Sequence, residues 1–334
     1  MDNPVLVNVW RGSLIESTHR GRVAVIDADG AVVFSAGDIG APIFPRSAVK
    51  AFQALPLVET GAVDRYGLTD AEIALACASH SGDEMHVTTA SSMLGKAGLD
   101  VSALECGTHW PMDTKVAGRL AASGKKPNAL HNNCSGKHAG FICTCCVQDT
   151  PISGYIGAGH SIQTHIRDVM SDVTGIAHTT DNMGIDGCSI PTYSVPLKNL
   201  ALGFAKFVSG HGLGMERAKA AQRILAAIAS APEMIAGKGR FDTEIMKILG
   251  EDVMLKLGAE GVYCGAIPAL GLGIALKCDD GTIRAAEVMM AAVLKKFLKN
   301  DKVQSADFAA HASPVLKNWN GLDVARLEPT EVLT

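Results

Sequence analysis

Apolar and polar positions alternate near both ends of the chain and recur at helical spacing between them. Val23-Ala24-Val25-Ile26-Asp27, Ala28-Asp29-Gly30 and Ala31-Val32-Val33-Phe34 read as two strands joined at a Gly-containing turn. Gly273–Lys277, Cys278-Asp279-Asp280-Gly281 and Thr282–Ala285 repeat the pattern and predict a second hairpin. Behind it, Val288, Met289, Ala292, Val293 and Phe297 share one face of a helix over 286–299. The middle is helical. Thr69-Asp70-Ala71-Glu72 is a capping box before the apolar run Ile73–Ala78, and 159–173 and 215–229 carry helical patterns. Pro191, Pro196, Pro232 and Pro268 punctuate the connections. The expected class is α/β (α+β): an antiparallel sheet built from both chain ends and flanked by helices, with a mostly helical middle lobe. Residues 1–60 with 195–334 would form the sheet lobe and 61–194 the helical one, with the active site between them.

Composition narrows the functional classes. The 334 residues are 47% hydrophobic and 19% charged, ample for a sizeable core. Net charge is −4 with both signs mixed, and aromatics are 5%. A basic stripe or stacking platform for nucleic acid is therefore not expected, nor a polybasic membrane surface. No run reaches the ~18 apolar residues of a membrane helix. The start Met1-Asp2-Asn3-Pro4 lacks the basic and apolar parts of a signal peptide. Nine cysteines at irregular spacing do not resemble a secreted disulfide framework, so a reducing cytoplasm is expected, with thiols free or metal-bound.

Chemistry concentrates in Asn132-Asn133-Cys134-Ser135-Gly136-Lys137-His138, where two amides, a thiol, a hydroxyl, an amine and an imidazole surround one glycine between apolar flanks. Enclosed groups of this kind need partners, and a small polar substrate is the usual reason to keep them. A second candidate is the S-x-x-K motif Ser47-Ala48-Val49-Lys50. Residues i and i+3 share a helix face, so Lys50 can reach the Ser47 hydroxyl and, if neutral, take its proton. A helix-capping serine with a surface lysine reads the same motif blandly. Ser123-Gly124-Lys125-Lys126 also fits S-x-x-K but sits in a Gly/Lys-rich turn that looks solvated. Two later elements add weight: Ser79-His80-Ser81, and Lys256-Leu257-Gly258 before a strand-like run. The order S-x-x-K, S-x-S, K-x-G resembles serine β-lactamases and penicillin-binding proteins. It departs from them at Ser81 and Leu257.

With Asn132–His138 added, the chain resembles the Rhizobium-type (class 3) L-asparaginases, which are similar to serine β-lactamases in fold. The stretches carrying the resemblance are Pro45–Lys50, Ala76–Gly82, Asn132–Gly140, Asp186-Gly187-Cys188-Ser189-Ile190-Pro191 and Gly258–Gly261. The resemblance implies an amidohydrolase that converts L-asparagine and water to L-aspartate and ammonia. It implies two serine–lysine pairs, Ser47 with Lys50 and Ser79 with Lys256. Ser47 would attack the side-chain amide, and Ser79–Lys256 would move protons or hold the oxygen. Lys247 competes with Lys256 for that place. The resemblance further implies Zn2+ held by Cys134, Lys137 and Cys188, and a homodimer. The residues alone would favour His138 over Lys137, because a lysine ligand must be neutral. Where some members carry another cysteine, this chain has Asp242.

Asparagine is a zwitterion, so its carboxylate needs a cation or amide donors and its ammonium a carboxylate. Arg46, His80 and Asn133 are candidates for the first role. Asp186 is a candidate for the second or for orienting a metal ligand; a structural salt bridge or cap is the plain alternative for Arg46 and Asp186. Cys77, Cys106, Cys143, Cys145, Cys146, Cys264 and Cys278 read as small buried hydrophobes. His109-Trp110-Pro111 either lines a substrate mouth or fills a turn. Gly210–Gly214 reads as a flexible connection. Two other readings stand beside the serine hydrolase. One is a zinc- or cysteine-dependent amidase or deaminase, with Cys134 and His138 as nucleophile and base. The other is a non-catalytic zinc- or amino-acid-binding protein on the same scaffold.

Overall fold

The computed structural model describes residues 3–334. Both chain ends contribute strands to one eight-stranded antiparallel sheet, as their alternation predicts. Its order runs Val315–Lys317, Asp323–Pro329, Val5–Arg11, Leu14–Ile26, Leu272–Cys278, Val262–Ile267, Met254–Leu257, with Val32–Ala36 pairing Leu14–Ile26. The 13-residue strand Leu14–Ile26 joins the halves. Its first part pairs Val5–Arg11, and its second part pairs Leu272–Cys278 in the register Gly273↔Ile26 to Cys278↔Gly21. Helices lie on both faces of the strand Leu272–Cys278, because neighbouring side chains point to opposite sides. A Cβ at Gly273 would sit 1.9 Å from the Ala201 carbonyl oxygen of helix Leu197–Ser209. Helix Ile283–Phe297 covers the other face, with Val288, Met289 and Val293 fully buried.

The hairpin at Asp27–Gly30 is present. The Asp27 carboxylate accepts from the backbone N–H groups of Asp29 and Ala31 at 3.0 and 2.8 Å, which fixes the turn. The second expected hairpin is not. Strand Leu272–Cys278 pairs with the preceding strand Val262–Ile267, and the residues after it start helix Ile283–Phe297 three positions earlier than the pattern suggested. Asp280 Oδ1 accepts the Thr282 N–H at 2.9 Å, which turns the chain toward the helix before a strand forms.

By its contacts the chain divides into two units. One holds residues 1–48, 195–205 and 244–334 and contains the whole sheet. The other, 49–194 with 206–243, is largely helical, and the segment 206–243 groups here rather than with the sheet. In the helical unit the capping box at Thr69 and Glu72 forms as predicted before helix Asp70–Ala76. Helix Ser135–Val147 packs against it through Gly136 and Gly140, one turn apart. A Cβ on Gly136 would meet the Leu75 carbonyl oxygen at 2.4 Å, and one on Gly140 the Ala76 Cβ at 3.3 Å. Only a side chain of hydrogen lets the two backbones approach this closely. The polar motif 132–138 is thereby pinned at the start of a buried helix. No helix among the described residues is long and apolar enough to cross a membrane.

Candidate active site

Two lysines are enclosed in the helical unit: Lys50 at 0% exposure and Lys137 at 1%. An ammonium without partners in such a place would cost several kcal/mol, and each finds several. Lys50 opens the short helix Lys50–Gln53, entered directly from the 3-10 turn Arg46–Val49. Its amine donates to the Ala78 carbonyl, to Ser79 Oγ at 3.1 Å and to the Asn133 carbonyl at 3.5 Å. It also bonds the Cys134 thiol. Ser79 is held in turn by its own N–H, which donates to the Ile235 carbonyl at 2.8 Å. Lys50 therefore ties the end of the apolar run Ile73–Ala78 to the start of helix Ser135–Val147. The amine that the motif spacing assigned to Ser47 lies against Ser79.

The thiol cluster begins at that same amine. Cys134 and Cys188 are hydrogen-bonded to each other, and Lys137 Nζ lies 3.0 Å from Cys188 Sγ. The Cys188 bond pulls the Cys134 pKa well below the ordinary thiol range; burial opposes this, and Lys137 and Lys50 assist it. The same bond, with burial, pushes the Cys188 thiol up. Burial works against the Lys137 charge, but Cys134, Cys188 and Asp186 outweigh it and raise its pKa. The cluster thus brings two sulfurs and an amine together, with the sulfur–sulfur hydrogen bond and the two lysines favouring the charged form at Cys134. Asp186 accepts the Gly187 N–H at 2.8 Å and places its charge near Lys137.

Two sulfurs and an amine converge here, and that donor set fits zinc in number and chemistry once the thiol and ammonium protons leave. His138 is arranged differently. Its Nδ1 lies 2.7 Å from the Tyr155 hydroxyl, and its buried Nε2 has no partner among the described residues. Lys137, not His138, stands with the sulfurs.

His80 departs from the expectation. It is fully buried, and Nδ1 accepts the Gly82 N–H at 3.2 Å, so Nε2 carries the proton and donates to Ser135 Oγ at 2.9 Å. Burial, and then His86 and Lys50, push its pKa well down. A neutral ring with both nitrogens engaged cannot serve as a cation for a carboxylate; it braces Ser79 against Ser135. Asn133 is half-buried, and its side-chain amide reaches Met112 Sδ at 3.5 Å.

In the sheet unit, Arg46 and Ser47 are half-buried, and Arg46 adopts φ 51°, a left-handed conformation that non-glycine residues rarely take. Ser189, just after Cys188, and Glu260, two residues after Gly258, do the same at 76° and 55°. Such backbone persists where the surroundings impose it, often at functional sites. Lys256 is 1% exposed at the edge strand Met254–Leu257, with its amine 2.8 Å from the Leu257 carbonyl. Lys247 is exposed on helix Phe241–Leu249, which favours Lys256. A Cβ on Gly258 would sit 2.7 Å from the Pro45 carbonyl oxygen. The strand bearing Lys256 therefore ends against the segment leading into Ser47.

Two supports are only partly legible in the sequence. His109 Nε2 accepts the Asn133 N–H at 2.9 Å, while its Nδ1 donates to the Trp110 carbonyl at 2.7 Å. The loop 235–240 also packs on Ser79-His80-Ser81. A Cβ on Gly237 (φ 113°) would clash with Ser81 Oγ at 2.2 Å, and Asp242, at the start of helix Phe241–Leu249, is buried. The family resemblance points to this segment at Asp242, while nothing in the local pattern singles out Gly237. Ser123 and Lys126 are exposed, as their turn composition suggested.

The family model described as L-asparaginase II matches residues 7–329. The chain belongs to the L-asparaginase II family. The motif segments above all lie inside the matched span. A search of curated proteins returned no match. Among solved structures, the chain is similar to one titled Mglu in its native form, at 17% identity and a TM-score of 0.39, with 86% of this chain and 66% of that chain covered. A second form, in 4.3 M NaCl, aligns at 15% identity and a TM-score of 0.41, covering 81% and 60%. A beta-lactamase from Mycobacterium bovis aligns at 11% identity and a TM-score of 0.36, covering 80% and 89%. The chain spans 55 to 66% of the length of the Mglu chains it matches.

Proposed function

We propose that this protein hydrolyses the side-chain amide of L-asparagine, releasing ammonia and L-aspartate through a serine ester. The observation that carries the reading is the buried amine of Lys50 at 3.1 Å from Ser79 Oγ, in a chain of the L-asparaginase II family. In its neutral form the Lys50 amine gives two N–H bonds to the carbonyls and turns its lone pair to the hydroxyl, and so takes and returns a serine proton.

Ser47 is the nucleophile on the amide carbon. Lys50 receives its proton directly or by way of Ser79, and the same lysine later protonates the departing ammonia. Lys256 supports the second hydroxyl. Asn133 and Arg46 hold the substrate carboxylate, and Asp186 its ammonium or the Lys137 amine. Cys134, Lys137 and Cys188 would hold zinc, which would act there as a Lewis acid toward a substrate oxygen. The thiol alternative would use Cys134 without His138 as its base, since His138 Nδ1 lies 2.7 Å from the Tyr155 hydroxyl.

Ammonia release by Ser47→Ala and Ser79→Ala decides between the schemes. Loss in Ser47→Ala with a normal melting profile supports the reading. A fully active Ser47→Ala beside a dead Cys134→Ala moves the chemistry to the thiol.

A further inference from the structure

A second cluster of metal-ligating groups lies in the sheet unit, apart from the residues placed in the candidate active site. His19 projects from strand Leu14–Ile26, Cys278 from the end of strand Leu272–Cys278, and Asp280 from the turn before helix Ile283–Phe297. One ligand atom from each lies within 4.8 Å of the others. His19 Nδ1 is 2.5 Å from Asp280 Oδ2, and Cys278 Sγ is 3.0 Å from Asp280 Oδ1. His19 and Cys278 are buried, at 4% and 0% exposure, while the Asp280 side chain is 45% exposed and leaves one side open to water.

We propose that His19, Cys278 and Asp280 form a site for a divalent zinc-class cation, with water as the fourth ligand. The ligand types are those of open tetrahedral zinc sites, one sulfur, one imidazole and one carboxylate. Tetrahedral bonds of about 2.0–2.3 Å separate ligand atoms by roughly 3.3 Å. The present Asp280 contacts, 2.5 and 3.0 Å, need to open by less than about 1 Å. The backbone is already set, since the Cys278-Asp279-Asp280 turn is closed by the Thr282 N–H on Asp280 Oδ1 at 2.9 Å. In the metal-free state protons stand where the cation would be. The thiol donates to Asp280. Arg284, a donor only, contacts His19 Nε2 at 3.3 Å, so the ring proton is on Nδ1 and points at Asp280. Binding M2+ forms M–S, M–N and M–O bonds. It releases the thiol proton to solvent and shifts the imidazole proton from Nδ1 to Nε2, which displaces the exposed Arg284 guanidinium.

That last step gives the proposal a signature a merely structural triad lacks: Arg284→Ala should bind the metal several-fold more tightly. The test is Co2+ titration of the full chain, followed by thiolate-to-cobalt charge-transfer absorption. The Cys134→Ala/Cys188→Ala background removes the other thiolate cluster. One equivalent of Co2+ should still give the band. Adding Cys278→Ser should abolish it, and adding His19→Ala should weaken binding on the order of tenfold or more. If the double background does not fold, bound Co2+ is counted in otherwise unaltered protein, where Cys278→Ser should lower it by one equivalent per chain. A band absent from the double background, or a cobalt count unchanged by Cys278→Ser, overturns the proposal.

Discussion

Lys50 and Ser79 stand 29 positions apart in the chain, yet the Lys50 amine lies 3.1 Å from Ser79 Oγ. The contact joins the two halves of what the sequence presents as separate motifs, and the Cys134 thiol is bonded to the same amine. The serine hydroxyl and the thiol cluster thus share one buried nitrogen. A change at Ser79, Lys50 or Cys134 should be felt by the other two.

Ser79→Ala removes the hydroxyl and little volume. It should cost about 1 kcal/mol of stability, the net worth of a typical hydrogen bond. Ammonia release should fall by about 10²–10⁴, the range for lost proton transfer. Thermal unfolding and an ammonia assay on one preparation separate the two effects. Equal small losses in both would reduce Ser79 to a structural group.

Cys188→Ala deletes the thiol that lowers the Cys134 pKa. In metal-free protein the Cys134 titration, followed by ultraviolet thiolate absorbance, should move upward by more than about 1 unit. An unmoved curve would mean that Lys137 and Lys50 alone hold the thiolate.

Stability should fall on mild acidification. Burial pushes the His178 pKa down to about 4, against about 6.5 in the unfolded chain. Between those values the unfolded state binds more protons, so stability rises with pH across the window and is complete above it. The shift corresponds to on the order of 3 kcal/mol at pH 4. His80, pushed down mainly by burial, acts with the same sign. Urea midpoints between pH 4 and 7 measure the slope. His178→Gln should flatten it, and a slope that survives unchanged would remove His178 as a contributor.

Gly136→Ala places a methyl 2.4 Å from the Leu75 carbonyl oxygen. It should cost about 1–3 kcal/mol by overpacking and disturb Cys134 and Lys137, which flank it. Gly118→Ala, exposed in helix Thr114–Ala122 with nothing near the added methyl, should be neutral or stabilise by up to about 1 kcal/mol. A tolerant position 136 would contradict the tight helix pairing.

Alternation at both chain ends revealed the sheet because each strand buries a face and the period is short. The capping box at Thr69 revealed a helix start for an equally local reason. The false hairpin at 278–285 arose because Asp280 redirects the chain through a single side-chain bond that alternation does not encode. At the site, spacing placed Lys50 near Ser47 but could not show Ser79 beside it, since that contact depends on helix packing through Gly136 and Gly140. His80 looked like a ligand for substrate because sequence displays its chemistry and hides its burial. Cys278 looked like filler until the fold brought His19 to it.

The central claim, acyl transfer through Ser47, is tested most directly by stopping L-asparagine turnover in acid within milliseconds and mapping the protein by peptide mass spectrometry. The account predicts an aspartyl ester on the peptide carrying Ser47, missing in Ser47→Ala. An adduct on Cys134, or undiminished ammonia release by Ser47→Ala, would contradict it.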